Sequence, residues 1–384
     1  METGIRQGFS TASDARAAVQ ELAAALQQPD IGLVLFFCSS DYDLELLASE
    51  INRSFAGMQV VGCTTAGQIG ANGYRERGLV GVSFSASAST AVVGFCENLE
   101  QFTPADGHAL ADRLRFALGD QAPQANAGNT FGLLLIDGLS LREEMVARTV
   151  KETLGPIPIF GGSAGDGLNF RRTHVFAYGR FRSGAAALVL ASTPLPFTVF
   201  KTEHLVPTRE RWVITKASPG KRIAREINGL PAAEEFARLA GVEVSALTPQ
   251  HLAANPLTIT ISGHTYVRTA WKVNPDRSVT FFCAIEEGVV LRVARGAHLV
   301  ENLIDALARL QAHIGPPQLV LACDCVFRRM EIVDRHQERR VEKVFQFWKT
   351  VGFNTYGEVY EGVHVNQTLT GIAFGALPAE VVRA

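Results

Sequence analysis

Three glycine-containing stretches decide how this chain folds: VGCTTAGQIG at 61–70, FGGSAGDG at 160–167 and VGFNTYGEVY at 351–360. Each stretch includes or directly follows an apolar run that is typical of a buried strand. The apolar run is followed by glycine and small polar residues, which are typical of a turn. A β-rich run and an amphipathic run precede each stretch, and another β-rich run follows it. The same order of segments, found three times, predicts an internal repeat.

The repeats cover about residues 32–87, 132–192 and 318–376. In the first repeat, GLVLFFCSS predicts a strand, DYDLELLASEINRSF a helix and LVGVSFSAS a closing strand. In the third, one long amphipathic helix is predicted from residue 328 to about 350. A strand that leads through a helix to a parallel neighbour forms a right-handed crossover, and the closing strand can pair antiparallel at the edge. The predicted fold class is therefore α/β (α+β), with repeated strand-helix-strand-strand units forming mixed sheets covered by helices, in two domains.

The segment at about 199–300 does not follow this order. It contains several short strand candidates, among them RWVITKAS, LTITIS and SVTFFCAI. A short helix is predicted over 230–241 and a second, strongly amphipathic helix over 299–315. The boundary between the two halves of the chain is expected near 195–210.

Composition and charge exclude several classes of protein. Hydrophobic residues make up 47% of the chain and charged residues 19%, which is not the composition of a disordered protein. The net charge of −2 gives no excess for binding nucleic acid or an anionic membrane. No apolar run approaches the roughly 20 residues of a membrane span, and the first ten residues lack a signal-peptide pattern, so a cytoplasmic location is expected. The six cysteines are too sparse for a disulfide framework and are predicted to be mainly reduced, buried thiols.

The glycine stretches are candidate ligand-binding loops, because glycine lets backbone N–H groups approach a ligand closely. The alternative interpretation is that the glycines only permit a tight turn in a repeated fold. None of the stretches is a P-loop or a dinucleotide-binding fingerprint. No spaced nucleophile and base, GxSxG or HExxH is present, so we do not expect an enzyme. The candidate loop residues are Thr64, Thr65, Gly67, Ser163, Gly165, Thr355 and Gly357.

The nine histidines are scattered, and no two stand at a short metal-ligand spacing. A haem iron needs only one protein imidazole on one axial side, so a single histidine is enough for that cofactor. His204, in FKTEHLVPT, lies in a strand-like segment among apolar neighbours. His364, in GVHVNQT, alternates with valines and is the competing candidate.

The stretch GCTTAGQ at 62–68, together with IFGGSAGDG at 159–167, resembles the FIST sensory-domain family. The motifs EINGLPAAEEFARLAG, FFCAIEEGVVLRVARG, LACDCVFRRME and NTYGEVYEGVHVNQTLTGIAFG extend the resemblance over about residues 30–375. It implies a FIST N-terminal domain at 1–200, with two repeats, and a FIST C-terminal domain at 201–384, with the third. Members of the family are non-enzymatic intracellular ligand sensors that act with signalling partners.

KTEHLVPT, LACDCVFRRME and GVHVNQT further resemble the haem-binding, nitric-oxide-sensing branch of this bacterial family. That resemblance implies non-covalent haem b with His204 as the axial ligand and His364 as its competitor. It also implies nitric oxide as the signal, and a two-component histidine kinase or a cyclic-di-GMP enzyme as the partner. Arg209 and Arg211 are close enough in sequence to contact the haem propionates. A homodimer is considered as well, and the alternative function is a haem-free sensor of a small polar metabolite such as an amino acid.

Overall fold

The computed structural model of the chain describes residues 4–70, 73–261 and 264–376. The chain divides into two compact units. Unit 1 contains residues 1–202, 303–363 and 369–384, and unit 2 contains residues 203–302 and 364–368. Apart from residues 364–368, all three repeats therefore belong to unit 1. In this division the third repeat falls in the same unit as the first two, and the two domains expected at 1–200 and 201–384 stay a prediction.

The chain up to Thr202 forms thirteen strands and four helices in the described residues. The strands are β1 (Ile5–Ser10), β2 (Ile31–Ser39), β3 (Gln59–Thr65), β4 (Gln68–Gly70), β5 (Gly73–Arg75), β6 (Leu79–Ser85), β7 (Thr90–Cys96), β8 (Thr130–Ile136), β9 (Ile159–Ser163), β10 (Val175–Ala177), β11 (Arg180–Arg182), β12 (Ala186–Ser192) and β13 (Phe197–Thr202). The helices are α1 (Ala15–Leu26), α2 (Leu44–Ser54), α3 (Pro104–Gln121) and α4 (Glu143–Leu154).

The remaining strands and helices lie in the chain after Thr202, which forms unit 2 and the C-terminal part of unit 1. The strands are β14 (Leu205–Ser218), β15 (Ile223–Ile227), β16 (Leu230–Pro231), β17 (Leu257–Ile261), β18 (His264–Arg268), β19 (Ala270–Val273), β20 (Val279–Phe281), β21 (Val290–Gly296), β22 (Pro317–Cys325), β23 (Thr350–Thr355), β24 (Glu358–Tyr360), β25 (Val363–Val365) and β26 (Leu369–Gly375). The helices are α5 (Ala232–Ala240), α6 (Pro249–Ala254), α7 (Leu299–Ile314), α8 (Val326–Asp334) and α9 (Glu338–Phe347). In the parts of the chain that the structure describes, none of the helices combines the length and the apolar character needed to traverse a bilayer.

Unit 1 is built from three sheets with the same strand arrangement. Their orders are β1-β6-β2-β3-β10-β11, β7-β12-β8-β9-β24 and β13-β26-β22-β23-β4-β5. In each sheet the two central strands of a repeat are parallel, and its closing strand pairs antiparallel with the first of them. The predicted repeat and the mixed sheets are therefore confirmed.

Each sheet is completed by strands from another repeat. The hairpin β10–β11 of the second repeat pairs with β3 of the first. Strand β24 of the third repeat pairs with β9 of the second, and the hairpin β4–β5 of the first repeat pairs with β23 of the third. The three repeats thus exchange their hairpins in a closed cycle, which the sequence analysis did not predict.

One glycine in the second parallel strand of each repeat occupies an equivalent position in all three repeats. A Cβ atom on Gly62 would lie 2.4 Å from the carbonyl oxygen of Phe36, on the neighbouring strand. At Gly161 and Gly352 the same added atom would lie 1.9 Å from the carbonyl oxygens of Leu134 and Ala322. The backbones approach so closely at these points that only glycine fits without a shift.

The inner faces of the three sheets share one apolar core. Phe37 from the first repeat stacks on Phe353 from the third, with ring centroids 4.3 Å apart, and Phe160 from the second belongs to the same cluster. Helices α1 and α2 cover the outer face of the first sheet, and α3 and α4 cover the second. In the third repeat, the single predicted helix is instead two helices, α8 and α9. The break lies where His336 adopts the left-handed region at φ 54°, which an α-helix does not tolerate.

Unit 2 is an antiparallel sheet with the strand order β18-β17-β21-β14-β15-β20-β19, and β16 pairs with β15. Its core lies on the face that packs against α5, where Trp212 meets Phe236 edge to face with centroids 5.0 Å apart. Helix α5 follows Pro231 and ends at Gly241, which has φ 69°, in agreement with the helix predicted at 230–241. Helix α7 also forms where the sequence predicted it.

Candidate functional site

The three glycine loops meet in unit 1 and bond to one another through their backbones. Gly165 N donates to Thr64 O at 2.9 Å, which joins the second loop to the first. Ser163 N donates to Gly357 O at 2.8 Å, which joins the second loop to the third. We call residues 64–68, 163–167 and 354–358 the loop junction. It contains all seven candidate loop residues, although they come from three separate repeats.

Two hydroxyl groups of the loop junction are engaged in equivalent side-chain bonds. Thr65 Oγ1 accepts a hydrogen bond from Gln68 Nε2 at 2.8 Å, and Thr355 Oγ1 donates to Glu358 Oε1 at 2.5 Å. All four side chains are buried. The threonines therefore brace the loops from inside.

Two buried polar atoms of the loop junction have no hydrogen-bond partner among the described residues. They are Ser163 Oγ and Gln68 Oε1. Buried polar groups are nearly always satisfied, by protein, by water or by a ligand. These atoms are consequently the positions at which the junction can accept a hydrogen bond from, or donate one to, a small polar molecule.

A buried ion pair within the motif LACDCVFRRME lies beside the loop junction, and no role for this pair was predicted from the sequence. Arg328 Nη1 donates to Asp324 Oδ1 at 2.9 Å, with both side chains almost fully buried. The hydroxyl of Tyr74, from the exchanged hairpin β4–β5, donates to the other carboxylate oxygen. Burial, followed by the negative charge of Asp324, raises the pKa of Tyr74 well above its usual value. The Asp–Arg spacing of four residues was a usable signal, but only the hairpin exchange brings the tyrosine to it.

Arg329 connects this ion pair to the loops. Its Nη1 atom lies 3.5 Å from Ala66 O and 3.4 Å from Asn354 Oδ1, so it contacts the first and third loops. The guanidinium also lies over the ring of Tyr74, 5.6 Å from the centroid. These contacts fix a positive charge at the edge of the loop junction.

The second loop is held by a carboxylate and a tyrosine. The hydroxyl of Tyr356 donates to Asp166 Oδ1, and the Asp166 carboxylate also accepts the N–H groups of residues 170–172. Burial raises the pKa of Tyr356, and the hydrogen bond to Asp166 adds to this effect. At this pKa the phenol stays protonated, so it acts as a fixed donor rather than as an acid–base group.

His204 lies in unit 2 just before β14 and is buried, with 4% of its surface exposed. It lines a small cavity of about 10 Å³. His364 is equally buried and is carried by the short segment 364–368, which supplies two of the lining residues but not His364 itself. The structure therefore brings the segments of both candidate histidines to one cavity. The other lining residues are Glu203, Leu205, Thr265, Val267, Gln367 and Thr368.

The residues at His204 do not fit a porphyrin in this conformation. A volume of about 10 Å³ is roughly the space of a single water molecule, whereas pockets for organic ligands measure about 300–1,000 Å³. Arg209 and Arg211 are exposed on β14, and neither lines the cavity. Within the described ranges, no three His, Cys, Asp or Glu side chains form a group that could hold a metal ion.

Comparison with known proteins finds a family model that matches each half of the chain. The model of the FIST N domain matches residues 32–230, and the model of the FIST C domain matches residues 232–361. No curated protein matches the sequence. A solved structure described as "Cyanuric acid hydrolase: evolutionary innovation by structural concatenation" is 9% identical and covers 97% of this chain and 99% of its own. Its TM-score of 0.37 is too low to indicate a shared fold.

Proposed function

This chain belongs to the FIST family, and we propose that it is a non-enzymatic sensor that regulates a protein partner through a ligand bound in unit 2. Its FIST N and FIST C domains indicate a small-ligand sensor in signalling. The observation that carries the proposal is the cavity of unit 2, where the buried His204 meets the segment of His364. His204 itself lines this cavity, and Gln367 and Thr368 bring the segment that carries the buried His364 to its wall.

Haem b, bound through His204 and sensing nitric oxide, is the specific ligand that the sequence resemblance favours. Leu205 and Val267 give the cavity apolar walls, which a porphyrin requires. When bound, haem would supply an iron atom that can bind a diatomic gas. The present volume of about 10 Å³ opposes this hypothesis, so haem binding would require a cavity much larger than the one observed.

A small polar metabolite at the loop junction is the second candidate. The specific observation in its favour is that Ser163 Oγ and Gln68 Oε1 are buried without a described hydrogen-bond partner. Arg329, at the edge of the junction, would suit a ligand that carries a carboxylate, such as an amino acid.

The two hypotheses separate in one spectroscopic experiment. The full chain is produced with haem supplied, alongside His204→Ala, His364→Ala and the exposed control His313→Ala. If haem is the ligand, wild type and the control show a Soret band that shifts with nitric oxide, and the variant of the axial histidine loses it. If wild type takes up no haem, that hypothesis is wrong. A thermal-shift screen of amino acids, with Ser163→Ala as the test variant, then examines the loop junction.

The partner is proposed from the family resemblance, as a cytoplasmic histidine kinase or a cyclic-di-GMP enzyme. A ligand can change the partner's activity only through its different affinity for two states of the sensor. The autophosphorylation rate of the kinase should therefore differ between ligand-free and ligand-saturated sensor. Equal rates at saturating sensor would contradict a role in regulating that kinase, and turnover in hydrolase screens that Asp324→Asn abolishes would contradict a non-enzymatic protein.

A further inference from the structure

Two arginines stand directly opposite each other in the sheet of unit 2. Arg211 on β14 is the register partner of Arg292 on β21. Side chains of directly opposed residues lie on the same sheet face, with Cβ atoms about 4.5–5.5 Å apart. The next pair, Trp212 and Leu291, points into the core on the other face. Both guanidinium groups therefore leave the sheet on the face away from the core of unit 2.

A local irregularity of β14 creates this opposition. Pro207 pairs with Ala294, and Arg211 pairs with Arg292. Between these two pairs β14 advances by four residues, whereas β21 advances by two. In a regular ladder, Arg209 would face Arg292 and Arg211 would face Val290. Bulges re-aim side chains in this way and are common beside functional sites.

The described part of the chain supplies no counter-charge to Arg211 or Arg292. Within the described residues, neither forms an ion pair, and the polar contact that the structure gives Arg292 is Nη1 donating to the carbonyl oxygen of Thr208 at 3.1 Å. The nearest acidic residue in the sequence, Glu210, is held by Arg238 and by the indole of Trp212.

The register pairs on either side of Arg211 and Arg292 carry no charge. Val213 and Val290 form the next pair on one side, Pro207 and Ala294 the next on the other, and Thr258 lies beside Arg292 on β17. Like charges placed directly opposite each other destabilise a sheet, so this arrangement costs stability in the free protein. A site that keeps such a cost is a candidate for ligand binding.

We propose that Arg211 and Arg292 form an oxyanion site that binds a phosphoryl group. A phosphate carries close to two negative charges near neutral pH and can balance both guanidinium groups, whereas a single carboxylate balances one. The planar guanidinium also matches phosphate geometry with paired hydrogen bonds. Val290, half exposed beside the pair, offers apolar contact to the rest of a phosphorylated small molecule. This proposal does not rest on which ligand binds at His204.

The test measures inorganic phosphate binding to the full chain at low ionic strength, in a buffer without other oxyanions. Calorimetry and thermal unfolding compare wild type with Arg211→Gln and Arg292→Gln. The matched control is Arg277→Gln, an exposed arginine of the same unit that pairs with Glu234. We expect saturable binding to wild type and the control, and at least a tenfold loss of affinity in each test variant. Acetate should bind much more weakly than phosphate.

Unfolding without phosphate supplies a second, independent readout. Removing one of two opposed positive charges should leave Arg211→Gln at least as thermostable as wild type, because the repulsion is gone. If Arg292→Gln fails to fold through loss of its bond to Thr208, Arg292→Lys keeps the charge and should still weaken phosphate binding. Phosphate affinity unchanged in the variants, or no saturable binding to wild type, would overturn the proposal. A nucleoside monophosphate that binds more tightly than inorganic phosphate, and equally depends on Arg211, would identify a phosphorylated metabolite as the source.

Discussion

Asn354 and Gly67 hold the third and first repeats together at the loop junction. Asn354 N donates to Gly67 O at 2.7 Å, and Asn354 O accepts a second bond from the neighbouring Ala66 N at 2.9 Å. This pair of bonds continues the antiparallel pairing of β23 with β4. The junction is therefore closed by backbone groups, which leaves side chains such as Ser163 available for a ligand.

Replacing Gly352 by alanine should destabilise unit 1, because the new Cβ atom would lie 1.9 Å from Ala322 O on the adjacent strand. We expect a loss of about 1–3 kcal/mol or more in the free energy of unfolding, as for other overpacked interiors. Gly119 is the matched control. It lies within α3 with no atom near its added Cβ, and Gly119→Ala should stabilise the protein by about 0.5–1 kcal/mol. Chemical denaturation of both variants checks the prediction, which fails if Gly352→Ala is neutral.

Arg328→Met should be strongly destabilising, because it leaves the buried Asp324 carboxylate without its counter-charge. Removing one member of a buried pair typically costs about 3–5 kcal/mol. The control is Arg148→Met, which breaks an exposed pair with Glu152 and should change stability by no more than about 0.5 kcal/mol. Equal losses in the two variants, measured by denaturant unfolding, would show that the buried pair is not a stabilising element.

His174 should make the protein less stable at mildly acidic pH. Burial, followed by the positive charge of Arg172, lowers the pKa of His174 below its ordinary value of 6.5. As the pH falls through that value, the unfolded chain binds the proton first, and the free energy of unfolding decreases until the folded-state pKa is passed.

His174→Gln lacks this loss of stability. The difference in melting temperature, His174→Gln minus wild type, should therefore increase as the pH is lowered from 7 to 5. The exposed His313→Gln serves as the control for losing a histidine of unit 1. A constant difference between His174→Gln and wild type across this range would contradict the prediction.

Cys96 should be the thiol that reacts first in the native protein. It is half-buried, whereas the other five cysteines are fully buried. Burial raises the pKa of Cys38, Cys63 and Cys323 far above the ordinary thiol value. A thiol reagent such as Ellman's should modify one group per chain rapidly and the rest only after unfolding. Cys96→Ser should abolish the rapid phase, whereas Cys283→Ser should leave it intact.

The repeated unit could be predicted because long period-2 and period-3.6 segments recur in the same order. The hairpin exchange could not, because β4, β5, β10, β11 and β24 have three residues each and carry no pattern that selects a partner sheet. Their partners are chosen by tertiary contacts such as Tyr74 with Asp324.

In unit 2, proximity in sequence identified only some of the residues that lie together in the structure. Arg211 was singled out from its distance to His204, but Arg292 was not, since it is opposite Arg211 only through the irregular register of β14. The placement of His204 and His364 on segments that share a cavity depends in the same way on chain crossings that no local pattern encodes. Their roles as iron ligands stay predictions.

A ribosome completes the hairpin β4–β5 long before it makes β23, the strand with which that hairpin pairs. At roughly 20 residues per second, the delay is on the order of ten seconds or more. During this interval the hairpin β4–β5 and, once it is made, the edge of β9 that later pairs with β24 both present unpaired backbone groups, which are templates for association with other chains. Nascent chains of this protein should therefore require protection by chaperones until synthesis has passed Thr355, and fragments that end between the second and third repeats should aggregate.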